Sequence, residues 1–236
     1  MYQCVNCGAQ VEELYRRYSL NVLKLLKCET CGSFADKYIE YDPVIILVDL
    51  MLLEKRAYRH LLYNCNLKAW WKLVIILWLV ESFRHLSFCD SKKQYAQYWK
   101  SFEFNFDAQC NFYLILLKTA FALTTFVLVV FFLTKVKWYL HQNDAKKFSM
   151  IELIKVLVVG GSAKLLGLLD ITWGHVFTTS HYFLLLGYTH LCLFTAYSVI
   201  VNNDKLESLV ILGMGILTYN YVPNLMSTMF QVLGLV

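Results

Sequence analysis

Four cysteines stand in two pairs, Cys4-Val-Asn-Cys7 and Cys28-Glu-Thr-Cys31, with twenty residues between the pairs. Two residues between cysteines let both sulfurs reach one metal from a tight turn. The longer interval brings a second such turn opposite the first, which is the spacing of a zinc site. Zinc takes four ligands in a tetrahedron, with sulfur at about 2.3 Å. Each pair is followed by glycine, Gly8 and Gly32, which tolerates the positive φ that a metal knuckle tends to need. Three other chemistries use the same residues. A redox dithiol normally opens a helix beside a βαβ unit, and neither pair has that context. Disulfides need an oxidising compartment, against which the topology below argues. Four thiolates also suit an iron–sulfur centre. The spacing favours structural Zn2+ on Cys4, Cys7, Cys28 and Cys31. Sulfur fills every position of such a site, so it stabilises a fold and leaves no place for a reactive water. Cys65, Cys89, Cys110 and Cys192 lack partners at metal spacing, and most of them read as small apolar fillers.

The elements that must position these sulfurs follow. The insert Tyr15–Lys27 is rich in Tyr, Val and Leu, which favour strands. Residues 1–36 are therefore expected to form a small β-rich zinc ribbon. Residues 37–65 come next. Asp42 before Pro43 marks a helix start, with Asp at the N-cap and Pro in the first turn. The helix is expected to reach about Leu62, because Ile46, Leu50, Leu53, Ala57 and Leu61 recur on one face. The run Val44–Leu53 is too short to span a bilayer. Lys55, Arg56 and Arg59 form a basic cluster suited to anionic headgroups. This amphipathic helix either lies in the cytosolic membrane interface or packs on the zinc head or the membrane bundle.

The rest of the chain, residues 66–236, is long apolar runs separated by short polar gaps. Of the 236 residues, 58% are hydrophobic and 17% charged, and the mean hydropathy is +0.47. Soluble domains are about 45–50% apolar, so the composition excludes an ordinary soluble domain. Tyr2–Leu14 has no continuous apolar core of a signal peptide, so membrane entry is expected through the chain's own spans. The expected spans are near Trp70–Phe88, Tyr113–Leu133, Ile151–Leu169, Tyr182–Val201 and Leu206–Val222. The expected architecture is thus an α-helical polytopic domain of four to five spans, five being favoured. Lys and Arg gather before Lys72 and again at Lys135, Lys137, Lys146 and Lys147, while the gap Asp170–His181 has none. Lys92, Lys93 and Lys100 make their own gap mildly discordant. The positive-inside rule places the N-terminus in the cytosol, a reducing setting that keeps thiolates available for zinc.

Ionisable residues in these runs are costly and mark function by default. Lys118 and Lys155 can snorkel to an interface. Glu81 and Arg84 are three residues apart and face each other on a helix. They form either a structural pair or a contact for a polar headgroup. Lys164 and Asp170 also lie in or beside spans. His175, His181 and His190 are too sparse for a membrane di-iron site. The sequence holds no paired-carboxylate, nucleophile–base or nucleotide-loop motif, so a non-enzyme is expected. The head lacks a dense basic stripe, and a membrane tether further disfavours nucleic acid.

The two Cys-x-x-Cys pairs, the tract Lys37-Tyr-Ile-Glu-Tyr-Asp-Pro-Val-Ile-Ile-Leu47 and the run Ala57-Tyr-Arg-His60 together resemble the Arv homology domain of the Arv family. The resemblance covers about residues 1–65; the membrane body is similar only in having several spans. It implies an endoplasmic-reticulum membrane protein, with the Golgi as a further location, acting in intracellular sterol transport and lipid homeostasis. It also implies links to sphingolipid metabolism and to glycosylphosphatidylinositol (GPI) anchor assembly. The implied partners are sterol, sphingolipids or GPI precursors, and lipid-synthesis enzyme complexes. Lipid transport is one implied role; an adaptor whose zinc head scaffolds a lipid- or GPI-synthesis complex is the alternative. The four cysteines carry over as zinc ligands. Tyr38, Glu40, Tyr41, Asp42 and Pro43 carry over as motif positions without an assigned role.

Overall fold

The computed structural model describes residues 2–19, 23–66, 69–98, 111–140, 149–168, 179–201 and 205–232. The head is built from two minimal antiparallel hairpins. Strands β1 (Tyr2–Gln3) and β2 (Gln10–Val11) pair with Tyr2 opposite Val11 and bracket the first cysteine pair. Strands β3 (Tyr15–Arg17) and β4 (Leu23–Leu25) pair with Tyr15 opposite Leu25 and carry the chain to the second pair. A single bridge between Lys27 and Phe34 brackets that second pair. The two halves are joined by the Val5 amide, which donates to the Ala35 carbonyl at 2.9 Å. Strands this short cannot build a core of their own. Val5, Tyr38 and Ala57 are buried together, with Ile46 and Leu50 against them.

The segment after the head departs from one continuous helix. α1 runs Pro43–Met51, starting at Asp42 as the sequence suggests, although the Asp42 side chain makes no capping bond. The chain then turns through Leu53, which takes φ +61°, a conformation rarely held by a branched side chain. α2 restarts at Lys55–Arg59 and continues as a π-helical turn, His60–Asn64. The break has a physical return. It lets the Tyr58 hydroxyl donate to the Leu50 carbonyl at 3.2 Å, beside the Leu53 amide at 3.1 Å. It also turns Ala57 and Tyr58 inward, where both are almost fully buried. The expected face is therefore divided: Ile46 and Leu50 lean on the head, while Leu50 and Leu61 also meet the membrane body.

The body comprises α3 (Trp70–Tyr98), α4 (Phe112–Leu140), α5 (Met150–Gly161), α6 (Thr179–Val201) and α7 (Lys205–Val232). A tighter 3-10 turn, Ser162–Leu166, extends α5. α4 packs along α7 and α5 along α6. Among the described residues three helices are long and apolar enough to cross a membrane: Phe112–Leu140, Phe183–Val201 and Leu206–Met229. The body is thus a helical membrane domain. α3 is long but bears Glu81, Arg84 and His85, and α5 has only twelve residues. Phe126, Val130, Leu153, Val156 and Tyr197 form the bundle core. Two close approaches need glycine. A Cβ on Gly160 would stand 2.8 Å from the Leu193 Cα, and one on Gly215 would stand 2.6 Å from Val130 Cγ2. α5 meets α6, and α4 meets α7, at these points.

Candidate metal centre

The four expected thiols do meet. Cys4, Cys7, Cys28 and Cys31 bring their sulfurs within 4.8 Å of one another. Cys4 Sγ lies 3.8 Å from Cys31 Sγ, and Cys7 Sγ lies 3.7 Å from Cys28 Sγ. A tetrahedron with metal–sulfur bonds of about 2.3 Å has edges of about 3.8 Å. The cluster therefore fits a tetrahedral metal ion and is compatible with zinc. Each knuckle is a turn closed by its glycine amide: Gly8 donates to the Cys4 carbonyl at 2.9 Å and Gly32 to the Cys28 carbonyl at 2.8 Å. Both glycines hold positive φ, +82° and +69°. The first cysteine of each pair is buried and the second exposed. Burial pushes the Cys4 thiol up to about 12, against the Cys7 and Asn6 amides, which lower it. The Cys31 amide leads in pulling Cys28 down to about 6, against burial. Amides aimed at sulfur favour thiolate, the form that binds metal.

The segment 37–65 clamps this centre. Arg59 Nη1 donates to the carbonyls of Val5 and Asn6 at 2.9 and 2.6 Å. Arg59 thus reaches the middle of the first knuckle, whereas its place in the basic cluster suggested a membrane-surface contact. Arg56 pairs with Glu54 at 2.6 Å. Asp36, fully buried, sits at the centre of a polar network. It accepts from the Tyr38 amide at 3.0 Å and from Asn64 Nδ2 at 2.6 Å, and it holds His60 Nδ1 at 2.6 Å. Asn64 in turn joins the Gln3 backbone on both sides, 2.9 and 3.0 Å. His60 Nε2 meets Cys65 Sγ at 3.1 Å. Burial alone would lower His60, yet Asp36 and then Cys65 raise it from 6.5 to about 9.

Of the motif residues, Tyr38 is buried and its hydroxyl donates to Asp49 at 2.7 Å. Burial and that carboxylate both raise it above the usual tyrosine range. Tyr41 packs edge-on against Tyr38. Glu40 closes the short 3-10 turn Lys37–Ile39, and Asp42 and Pro43 start α1. Asp36, Asp49 and Asn64 were missed from the sequence. The signal was His60 directly before the apolar Leu61-Leu62-Tyr63, since a histidine buried there calls for an acidic partner.

The remaining candidates fall in several places. Cys192 is a buried filler, as expected, but Cys65 contacts His60 and Cys89 is disulfide-bonded. Glu81 and Arg84 do pair, at 2.5 Å, and Lys164 joins them. Lys118 donates to Ser227 at 2.9 Å. Cys110, Lys100, Lys146, Lys147, Asp170 and His175 lie outside the described residues.

The decisive comparison is with a family model. The model of the Arv1-like family matches residues 3–212. The chain belongs to the Arv1-like family. Relatives within it include Protein ARV1 of Mus musculus, 30% identical over 94% of this chain and 82% of its own length. Protein ARV1 of Homo sapiens is 32% identical over 90% of this chain and 77% of its own length. Protein arv1 of Schizosaccharomyces pombe is 47% identical over a shorter stretch, 26% of this chain and 24% of its own length. No solved structure matches. The Arv1-like match runs through the knuckles and the clamp into α7, so the likeness extends well past residue 65 into the membrane body.

Proposed function

We propose that this chain is a non-enzymatic lipid-handling protein of the endoplasmic-reticulum membrane, acting in sterol transport and lipid homeostasis. Membership of the Arv1-like family across residues 3–212 carries this reading, since that family fits a role in lipid homeostasis. In this reading the protein moves or presents sterol and also serves sphingolipid metabolism and GPI-precursor handling. Cys4, Cys7, Cys28 and Cys31 hold a structural zinc ion, and the chain crosses the membrane five times from a cytosolic N-terminus. Sulfurs spaced at tetrahedral edges support the first part. For five crossings, α3 and α5 with its 3-10 extension join the three apolar helices. The outer face of α1 supports a seat in the cytosolic interface. Val44, Leu47 and Met51 are exposed there on a helix whose other face packs on the head.

The test is transfer between vesicles. Purified full-length protein in liposomes should accelerate exchange of a fluorescent sterol or of a GPI precursor. Transfer no faster than in protein-free liposomes, for both lipids, overturns the reading. One observation favours the adaptor alternative: Tyr15, Tyr18 and Phe34 are exposed aromatic side chains on the head, a composition enriched at binding sites. If the adaptor reading holds, Tyr18→Ser with Phe34→Ser in the full chain loses co-purifying lipid-synthesis enzymes. Unchanged co-purification removes that alternative.

A further inference from the structure

The membrane body holds a partly open cavity of about 360 Å³ where α3, α4, α5, α6 and α7 converge. That size is within the range of small-ligand sites. Most of its wall is apolar, from side chains such as Leu77, Phe126, Leu157 and Ile216. One end is different: Glu81, Arg84, Lys164, Tyr219, His190 and Asn220 all line it. Ionisable side chains on the wall of an apolar cavity in a membrane domain are costly and seldom kept for packing alone.

The network leaves two valences open. Glu81 is buried to 1% exposure. Its Oε1 accepts from Arg84 Nη2 at 2.5 Å and from the Tyr219 hydroxyl at 2.6 Å. Its Oε2 makes no hydrogen bond, although Lys164 Nζ is 3.3 Å away. The ammonium offsets the charge of this oxygen without a directed hydrogen bond, so Oε2 keeps a lone pair for a donor from within the cavity. Lys164 has that ionic contact and lies 4.7 Å from the Tyr219 ring centroid. An ammonium carries three N–H donors, and these contacts leave donors for an acceptor in the cavity. Such an end therefore brings one carboxylate and two cations, a net positive charge, together above an apolar wall.

We propose that this cavity binds the head of an anionic, hydroxyl-bearing lipid, with its charged oxygen on Lys164 and Arg84 and a hydroxyl donating to Glu81 Oε2. The assignment rests on the reading of the body as a lipid-handling domain and names the ligand class of that body. A neutral sterol has a hydroxyl for Glu81 but nothing for Lys164. A cavity of this volume takes the head and the first carbons of the chains, with the remaining chain lying among the helices.

The test uses delipidated full-length protein and native mass spectrometry with five probes: phosphatidylglycerol, phosphatidylmethanol, phosphatidylcholine, cholesterol and inorganic phosphate. Phosphatidylmethanol keeps the charge of phosphatidylglycerol and lacks its head hydroxyls. Phosphatidylglycerol should bind about tenfold or more tightly than the other lipids, a difference of about 1.4 kcal/mol. Inorganic phosphate should not displace it, which separates a lipid head from a free anion. Lys164→Gln should lower that affinity about tenfold or more, and Glu81→Gln should remove the preference over phosphatidylmethanol. Gly161→Leu fills the cavity without touching the charges. A Cβ there meets only Leu77 Cδ1, at 3.9 Å, so this variant should fold, keep its metal and lose phosphatidylglycerol. Equal binding of all four lipids by the wild-type chain overturns the proposal, as does full binding by Gly161→Leu. Cholesterol bound in the cavity and phosphatidylglycerol excluded overturns the headgroup assignment and leaves the lipid-handling reading standing. Retention of none of the lipids overturns both.

Discussion

Replacing Arg59 with methionine removes two donated bonds from the first knuckle and keeps most of the side-chain volume. Nη1 holds the Val5 and Asn6 carbonyls at 2.9 and 2.6 Å, and the amides of Asn6 and Cys7 are directed at the Cys4 sulfur. The guanidinium therefore fixes the peptide planes that orient donors toward a metal ligand. A hydrogen bond from a charged group contributes about 1.5–3 kcal/mol. Two bonds that share one nitrogen on a partly buried surface contribute about 2–4 kcal/mol together. Because metal binding and folding of such a head are one equilibrium, that loss appears as weaker metal affinity. Each 1.4 kcal/mol is tenfold, so Arg59→Met should weaken zinc binding about 30- to 1,000-fold. Arg59→Lys keeps charge but not the fork and should fall between. The assay is competition for zinc against a coloured chelator, on full-length protein in detergent. A folded Arg59→Met protein with wild-type zinc affinity refutes the clamp.

Cys28→Ser should bring bound zinc from one ion per chain to none, read by elemental analysis, and should expose the hairpins to limited proteolysis. Retention of both metal and protection contradicts the four-thiolate centre. His60, raised from 6.5 to about 9, favours the folded state while it is protonated. That stabilisation is whole below pH 6.5 and is lost as pH rises through about 9; its size is about 3 kcal/mol. Thermal unfolding between pH 6 and pH 9.5 should show that loss in the wild type and lack it in His60→Gln. Gly160→Ala should cost about 1–3 kcal/mol, because its Cβ meets backbone, not a movable side chain. Thermal stability in detergent reads this, and no change there would contradict the close contact of α5 with α6.

The metal centre was legible because its information is local. Two Cys-x-x-Cys turns and their glycines dictate the knuckles, and the strand-forming insert Tyr15–Lys27 dictates the hairpin between them. Three of the five expected spans, Tyr113–Leu133, Tyr182–Val201 and Leu206–Val222, were legible for a similar reason, since lipid demands continuous apolar runs, whereas Trp70–Phe88 and Ile151–Leu169 fall on helices outside those three. The start of α1 at Pro43 followed from Asp42-Pro43. Its end did not, because apolar periodicity continues through Leu53 and nothing local forbids a helix there. Tertiary bonds to Leu50, Asp49 and Asp36 decide that break. The role of Arg59 was hidden in the same way. In sequence it belongs with Lys55 and Arg56, and only the fold brings it against Val5, more than fifty residues away. The Glu81–Arg84 pair was visible as helical spacing, whereas Lys164 and Tyr219 arrive from distant helices.

The most direct measurement is the identity of lipid held by the protein itself. Full-length protein purified in mild detergent should carry a distinct lipid class in stoichiometric amount, identified by mass spectrometry against an unrelated multi-span membrane protein prepared in parallel. Gly161→Leu should lose that lipid. A lipid profile identical to that of the unrelated protein, and unchanged by Gly161→Leu, would contradict a lipid-handling membrane body.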